Sequence, residues 1–206
     1  MLITVSGIDG SGKTTLCGEI AENLKNRGFD ASACMPDYIS NNLMKQFCKN
    51  YYGDPYAYVP NFSEIYIHGL FVDWLDTYDK ILKNRSERIL IFDRYLFDFL
   101  AQAFHYKVKI GSIIGMLPIF PYPDISFFID ITPDEAFERL RKRTHPKMHH
   151  LETLDNLMIL DEAYGQVKKT VQWDPTILTR LVTVDNIADE IISRKHVINE
   201  RKINIR

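Results

Sequence analysis

The chain has 206 residues, which is enough for one large domain and too few for two domains of ordinary size. Hydrophobic residues make up 46% of the chain and charged residues 25%, a composition that excludes disordered and collagen-like proteins. The formal net charge of −2 excludes a general electrostatic attraction to nucleic acid or to an anionic membrane. We therefore expect neither of these as a partner, and we expect any phosphate binding to be local.

Hydrophobic periodicity predicts strands that alternate with helices. The apolar runs predicted as strands lie at 2–6, 30–35, 88–93, 125–131 and 181–184. The patterns predicted as helices lie at 13–27, about 62–82, 132–143, about 152–173 and from about 186 onward. Continuous apolar strands are typical of a parallel sheet that is covered on both faces. The alternation therefore predicts a doubly wound α/β fold, with the whole chain 1–206 as a single domain.

The cysteines and the apolar segments indicate the compartment. The three cysteines are odd in number and lack CxxC spacing, which argues against a disulfide framework and a four-ligand zinc site. The apolar stretch at 113–120 is far shorter than the roughly 20 residues that span a membrane. The amino-terminal segment has no basic region of the kind found in signal peptides. These features predict a cytoplasmic protein.

A phosphate-binding motif lies between the first predicted strand and the first predicted helix. The segment GIDGSGKTT at 7–15 satisfies G-x4-G-K-[ST], whose backbone N–H groups can wrap a phosphate. Lys13 can reach the β and γ phosphates of ATP, and Thr14 can bind Mg²⁺. The residues that we assign to ATP binding are Gly7, Asp9, Gly10, Ser11, Gly12, Lys13, Thr14 and Thr15.

An Asp-Arg pair lies at the end of the predicted strand at 88–93, with Asp93 as its last residue and Arg94 directly after it. Phosphoryl transfer needs a carboxylate near the metal, and Asp93 can bind Mg²⁺ or accept the proton of an attacking hydroxyl. Arg94 can bind a phosphate oxygen of the acceptor. The alternative is a structural ion pair at the end of the strand.

A basic cluster ends the predicted helix at 132–143. Arg139 and Arg143 lie four residues apart on one helix face, and Pro146 interrupts the helix beyond them. Such a segment can form a lid, at about 141–152, that brings an arginine over the transferring phosphoryl group. The alternative is a solvated basic helix end that interacts with the helix dipole.

These motifs together resemble the thymidylate kinase family. The resemblance is carried by the loop at 7–15, Asp93-Arg94-Tyr95 at 93–95, the segment 123–143 and Asp-Glu-Ala-Tyr at 161–164. It implies a three-layer P-loop NTPase fold with a five-stranded parallel sheet flanked by helices and a short lid. It also implies transfer of phosphate from ATP to dTMP with Mg²⁺, an acceptor-binding helical region at about 36–84, and a homodimer.

The resemblance also assigns roles to individual residues. Asp9 would contact the sugar hydroxyl of the acceptor or the metal shell, and Phe71 would stack on the acceptor base. An alternative for Phe71 is a place in the hydrophobic core. Gly10 stands where some members carry a basic residue, which favours Arg139 or Arg143 in the lid as the catalytic arginine.

Several departures from the family pattern fall in the acceptor site. Cys-Met-Pro at 34–36 replaces Arg-Glu-Pro, and Leu75 replaces an arginine four residues after Phe71. Asp98 stands where small polar residues are usual, and Gln102 stands where a tyrosine is common. We therefore expect Asp98 and Gln102 to contribute to an altered acceptor pocket.

The charge of the predicted acceptor region leaves the acceptor open. The segment 36–84 contains no arginine, and its only cations are Lys45, Lys49, Lys80 and Lys83. A monophosphate acceptor is a dianion that Arg94 alone would then hold. We expect a nucleoside monophosphate kinase. One alternative is a kinase of a neutral nucleoside or other hydroxyl, deprotonated by Asp37 or Asp93. Another is an ATP-dependent switch without a small-molecule acceptor.

The histidines suggest a competing metal site. His145, His149, His150 and Glu152 could together bind zinc, although a moving lid is a poor place for a rigid site. The isolated His68, His105 and His196 are predicted to be solvated or internally hydrogen-bonded.

Overall fold

The computed structural model describes residues 1–83, 88–144, 148–149, 152–179 and 181–203. They include a five-stranded sheet in the order β2-β3-β1-β4-β5, and every neighbouring pair in it is parallel. The strands are β1 (Leu2–Ser6), β2 (Ala31–Cys34), β3 (Ile89–Asp93), β4 (Ile125–Ile129) and β5 (Thr176–Leu178). This sheet confirms the predicted α/β fold.

The helices that surround the sheet follow the strands in alternation. They are α1 (Lys13–Asn26), α2 (Ile39–Tyr52), α3 (Tyr58–Thr77), α4 (Leu96–His105), α5 (Gly111–Ile114), α6 (Pro133–Lys142), α7 (Leu154–Thr170) and α8 (Val184–Ile203). A π-helical turn (Tyr78–Leu82) extends α3, and a short 3-10 helix (Leu117–Ile119) precedes β4. Thr132 Oγ1 accepts a hydrogen bond of 3.2 Å from the Glu135 backbone N–H, which confirms the predicted start of α6.

Two hydrophobic layers cover the two faces of the sheet. Ile3 and Val5 of β1 pack against α1 and α8, whereas Leu2 points to the layer formed by α3, α4 and α7. The strands are therefore buried on both faces, as the continuous apolar runs predict. In the register of β1 and β3, Val5 lies opposite Asp93, so the loop after β1 and the end of β3 meet at the same edge.

The prediction for the last strand is wrong. The apolar run at 181–184 was expected in the sheet, but β5 comes earlier, at Thr176–Leu178, where Leu178 is buried. Leu181 is 90% exposed, and the Thr183 hydroxyl accepts a hydrogen bond from the Asn186 backbone N–H at the start of α8. The run therefore belongs to a helix start. None of the described helices combines the length and the apolar character needed to cross a membrane.

Candidate active site

The loop that follows β1 turns through three glycines. Gly7, Gly10 and Gly12 have φ angles of 149°, 83° and 97°, which residues with a Cβ rarely adopt. A Cβ at Gly10 would lie 2.5 Å from the backbone oxygen of Ala136 in α6. Glycine is therefore required at Gly10 both by the turn and by the close packing of α6 on the loop.

Lys13 begins α1 and turns its side chain back into this loop. Its Nζ donates hydrogen bonds of 2.8 Å to the backbone oxygens of Gly7 and Ile8. Burial, together with the nearby Arg94 guanidinium, lowers the pKa of the Lys13 ammonium from 10.5 to about 8. A buried ammonium group is stabilised when an anion reaches it. The geometry therefore suits the predicted role of Lys13 in phosphate binding.

Thr14 and Asp93 form a second polar pair at the same edge of the sheet. The Thr14 hydroxyl donates a hydrogen bond to Asp93 Oδ2, while Asp93 Oδ1 is buried without a hydrogen-bond partner among the described residues. The hydroxyl of Ser11 in the loop is likewise buried without such a partner. Hydroxyl and carboxylate oxygens are the ligands that Mg²⁺ prefers. The orphaned carboxylate oxygen therefore fits the predicted metal site.

Asp9, a residue of the loop, forms an ion pair with Arg94, which directly follows β3. Arg94 has a φ angle of 73°, and its guanidinium donates a hydrogen bond to the Asp9 carboxylate. Burial raises the pKa of Asp9, but Arg94 and Lys13 outweigh this effect and hold the pKa well below its usual value. Asp9 is thus a carboxylate at every physiological pH. It acts as the fixed counter-charge of Arg94.

Asp98, in the first turn of α4, forms hydrogen bonds that fix the beginning of this helix. One carboxylate oxygen accepts hydrogen bonds from the Ser6 hydroxyl at 2.7 Å and the Tyr95 backbone N–H at 2.8 Å. The other accepts a hydrogen bond of 2.6 Å from the Tyr164 hydroxyl, which also donates to Gly7 O at 3.0 Å. Burial raises the pKa of Asp98 despite these bonds. Asp98 therefore ties α4 and α7 to the loop.

A cavity of about 250 Å³ opens beside the ion pair, between the helices of the predicted acceptor region and α4 and α7. Its aromatic walls are Tyr38, Tyr56, Tyr58, Tyr66, Trp74, Tyr95, Phe99 and Tyr106. Four of the residues predicted for the acceptor site line it, namely Asp9, Arg94, Asp98 and Gln102. The cavity thus combines flat aromatic surfaces with charged groups at one end.

The basic end of α6 lies over the phosphate-binding loop. Arg139 donates a hydrogen bond of 3.0 Å to Ser11 O. Arg143 donates hydrogen bonds of 2.8 Å to both carboxylate oxygens of Glu152, which is 8% exposed. The Glu152 carboxylate also accepts a hydrogen bond from the His149 backbone N–H at 2.9 Å. The two candidate arginines therefore have different partners: Arg139 contacts the loop, and Arg143 contacts Glu152, which lines the cavity.

Comparison with known proteins decides which family this site belongs to. A family model described as thymidylate kinase matches residues 5–173. The chain belongs to the thymidylate kinase family. A probable thymidylate kinase of Picrophilus torridus is 31% identical over 172 residues, which cover 76% of this chain and 77% of the relative. One of Archaeoglobus fulgidus is 31% identical over 159 residues, 76% of each chain. A thymidylate kinase of Leptospira borgpetersenii is 26% identical over 193 residues, 84% of this chain and 85% of the relative.

This thymidylate kinase family member does not present Phe71 to the cavity. Phe71 is 5% exposed, and its ring packs at 5.8 Å from that of Phe99 and 5.9 Å from that of Phe120. Its helix neighbours Leu70 and Trp74 line the cavity instead. The prediction that Phe71 stacks on an acceptor base is therefore at odds with its position, because α3 is rotated so that this side chain faces the core.

Asp37 is a second predicted acceptor residue that the structure places elsewhere. Its carboxylate is exposed and accepts a hydrogen bond of 3.2 Å from Lys80 Nζ. Asp37 is not among the residues that line the cavity. It is therefore not positioned to deprotonate an acceptor hydroxyl.

The predicted lid of this kinase is only partly described. Residues 145–147 and 150–151 lie outside the described chain, and with them His145, Pro146 and His150. Among the described residues, no group of three or more His, Cys, Asp or Glu side chains is arranged to hold a metal ion. The His149 ring stacks on Tyr56 with ring centroids 4.1 Å apart.

Two polar residues that the sequence did not assign to the acceptor site line the cavity, and one of them, His105, was expected to be solvated or internally hydrogen-bonded. Asn41 Oδ1 and His105 Nδ1 are buried at the cavity without hydrogen-bond partners among the described residues. Burial lowers the pKa of His105, so its imidazole is neutral near pH 7. Unpaired buried polar atoms cost free energy that a polar ligand recovers. Their sequence signal is weak, because an isolated His or Asn has no motif around it.

Proposed function

We propose that the chain transfers the γ-phosphoryl group of ATP to dTMP and forms ADP and dTDP. The observation that carries the proposal is that the Thr14–Asp93 pair and the Asp9–Arg94 pair both join the loop to the end of β3, and that Asp9 and Arg94 also line the aromatic cavity. A donor phosphate on the loop and an acceptor in the cavity would meet between these two pairs. The printed names of the relatives support dTMP as the acceptor.

The roles of the donor-side residues follow from their contacts. The backbone of the loop and Lys13 would bind the ATP phosphates, while Ser11 and Thr15 flank them at the start of α1. Thr14 and Asp93 would hold Mg²⁺, which when bound supplies positive charge to the β and γ phosphate oxygens. Lys13 would add a second positive charge from within the loop.

The acceptor-side residues would orient the monophosphate for in-line transfer. Arg94, fixed by Asp9, would bind the acceptor phosphate, and Trp74 would provide a flat surface for the base. Arg139 already contacts Ser11 O of the loop and is therefore our choice for the arginine that stabilises the transferring phosphoryl group. Arg143 would act by closing the cavity through Glu152.

We propose that the acceptor-binding region at 36–84 and the lid at 141–152 belong to one domain with the loop.

A homodimer is the assembly that we propose on the family resemblance. An exposed apolar stripe on α2 supports it: Ile39, Leu43, Phe47 and Tyr51 recur every four residues and are between 45% and 75% exposed. Sedimentation equilibrium of wild type and Leu43→Glu tests it, with a dimer expected only for the wild type. The thiols of Cys17, Cys34 and Cys48 are free, in keeping with the proposed cytoplasmic location.

The test is acceptor-dependent ADP formation with Mg-ATP on a panel of nucleosides and their monophosphates. We expect turnover of dTMP and none of thymidine, because only dTMP has a phosphate for Arg94 to bind, and Asp37, one of the two candidate bases for a neutral acceptor, lies outside the cavity. Folded Lys13→Ala protein is the control and should be inactive. Turnover of nucleosides alone, or ADP formation that needs no acceptor, would contradict the proposal.

A further inference from the structure

The proposed acceptor brings more negative charge than Arg94 can balance. A phosphate monoester carries a charge of about −1.5 to −2 near pH 7. Arg94 is already paired with Asp9 across the mouth of the cavity. The cavity also contains Asp98 and Glu152, two further acidic side chains. A dianion therefore needs a positive charge that is not yet committed to a carboxylate of the protein.

Lys45 is such a charge. It comes from α2, lines the cavity and is half-buried. Among the described lining residues it is the only lysine or arginine without a carboxylate partner. Its ammonium group lies 5.1 Å from the centroid of the Tyr56 ring, a cation-π contact that leaves its three N–H donors for a ligand. Burial lowers the pKa of Lys45, and the Glu152 carboxylate offsets part of this effect.

The residues around Lys45 indicate that it lies at the charged end of the cavity, where the acceptor phosphate would bind. Tyr56, beneath the ammonium group, stacks on His149 of the lid, and His149 lies next to Glu152. The same imidazole lies close enough to Asp9 to contribute to the lowering of its pKa. Contacts thus lead from Lys45 through Tyr56 and His149 to Glu152, and the charge of His149 acts on Asp9 of the phosphate-binding loop.

We propose that Lys45 binds the phosphate of the acceptor together with Arg94 and so makes the site selective for a phosphorylated acceptor over a neutral one. The inference rests on the proposed function and adds to it the residue that decides between these two classes of acceptor. It offers a replacement for the arginine that the family pattern has after the second strand, where this chain has Cys34 and Met35. A lysine acts as a point charge, so the contact requires charge more than a fixed bidentate geometry.

The test compares Lys45→Gln with Lys49→Gln by equilibrium binding of dTMP and thymidine. Lys49 lies one turn further along α2, is exposed and does not line the cavity, so it matches Lys45 in charge and helix. We expect Lys45→Gln to weaken dTMP binding about 10- to 100-fold, the range for a hydrogen bond to a charged group. Thymidine binding and the KM for ATP should change less than about 2-fold, as should every parameter of Lys49→Gln. Lys45→Arg should restore most of the dTMP affinity.

Each outcome bears on a separate claim. Equal dTMP binding by Lys45→Gln and wild type would overturn the role of Lys45 while wild-type turnover of dTMP upholds the proposed function. Equal losses for dTMP and thymidine would also overturn it, because they would indicate a role in shaping the cavity. A wild-type protein that neither binds nor phosphorylates dTMP or another monophosphate would remove the proposed function, and the role of Lys45 with it.

Discussion

The buried ammonium group of Lys13 destabilises the folded protein when no ATP phosphate is bound to it. Lys13→Met should therefore stabilise the fold. The fall in pKa from 10.5 to about 8 corresponds to about 3 kcal/mol against the buried ammonium group. Methionine removes this charge, and both backbone oxygens that Lys13 contacts keep another donor. Gly7 O lies 3.0 Å from the Tyr164 hydroxyl, whose single proton it shares with Asp98 Oδ1, and Ile8 O accepts from the Ser11 backbone N–H at 3.2 Å. We therefore expect Lys13→Met to abolish turnover and to raise the free energy of unfolding by about 2–3 kcal/mol at pH 7.

The dependence of this gain on pH distinguishes a charge effect from better packing. As the pH rises from about 8 toward 10.5, the folded wild type releases the Lys13 proton while the unfolded chain still binds it. The free energy of unfolding of the wild type therefore rises with pH, and the amount by which the methionine variant exceeds it becomes smaller. Urea unfolding at pH 7 and pH 9.5 measures the difference in free energy of unfolding between Lys13→Met and wild type. Lys25→Met, at an exposed helix position, is the control. A variant that is less stable than wild type at pH 7, or a gain independent of pH, would refute the reasoning.

Two further predictions concern the packing of α6 on the loop. Gly10→Ala should destabilise the protein by about 2–4 kcal/mol, because the new Cβ would lie 2.5 Å from Ala136 O at a φ of 83°; thermal unfolding measures this. Gly18→Ala, in α1 with no atom near the new Cβ, should instead stabilise by about 0.5–1 kcal/mol, and equal effects at the two sites would be inconsistent with the packing described. Arg139→Met should lower kcat with dTMP about 100-fold or more. The control is Arg141→Met, which should leave kcat within about 2-fold, because the guanidinium of Arg141 is exposed and pairs with Glu138. Similar steady-state kcat values for the two variants would exclude Arg139 as the catalytic arginine.

The parts of the site that were predictable from the sequence are those with a local mechanism. The loop at 7–15 has fixed spacing between a strand and a helix, and the position of each residue in it follows from that spacing. Asp93 was predictable because the carboxyl ends of neighbouring parallel strands meet at one edge, and the register puts it opposite Val5.

The parts that were not predictable depend on how helices rotate and pack. Phe71 and Trp74 lie three residues apart on the same apolar helix, and only the packing of α3 decides which of them lines the cavity. Lys45 and Lys49 differ in the same way, because one side chain turns to the cavity and the other to solvent. The apolar run at 181–184 has a strand-like composition, but its Thr183 begins a helix.

The most direct measurement for the central claim identifies the product. Wild-type protein is incubated with Mg-ATP and dTMP, and in parallel with Mg-ATP and thymidine, and phosphorus NMR follows each mixture. We expect signals of dTDP and ADP in equal amounts from dTMP and no new ester from thymidine. Formation of dTMP from thymidine, or release of inorganic phosphate while dTMP stays unchanged, would contradict it.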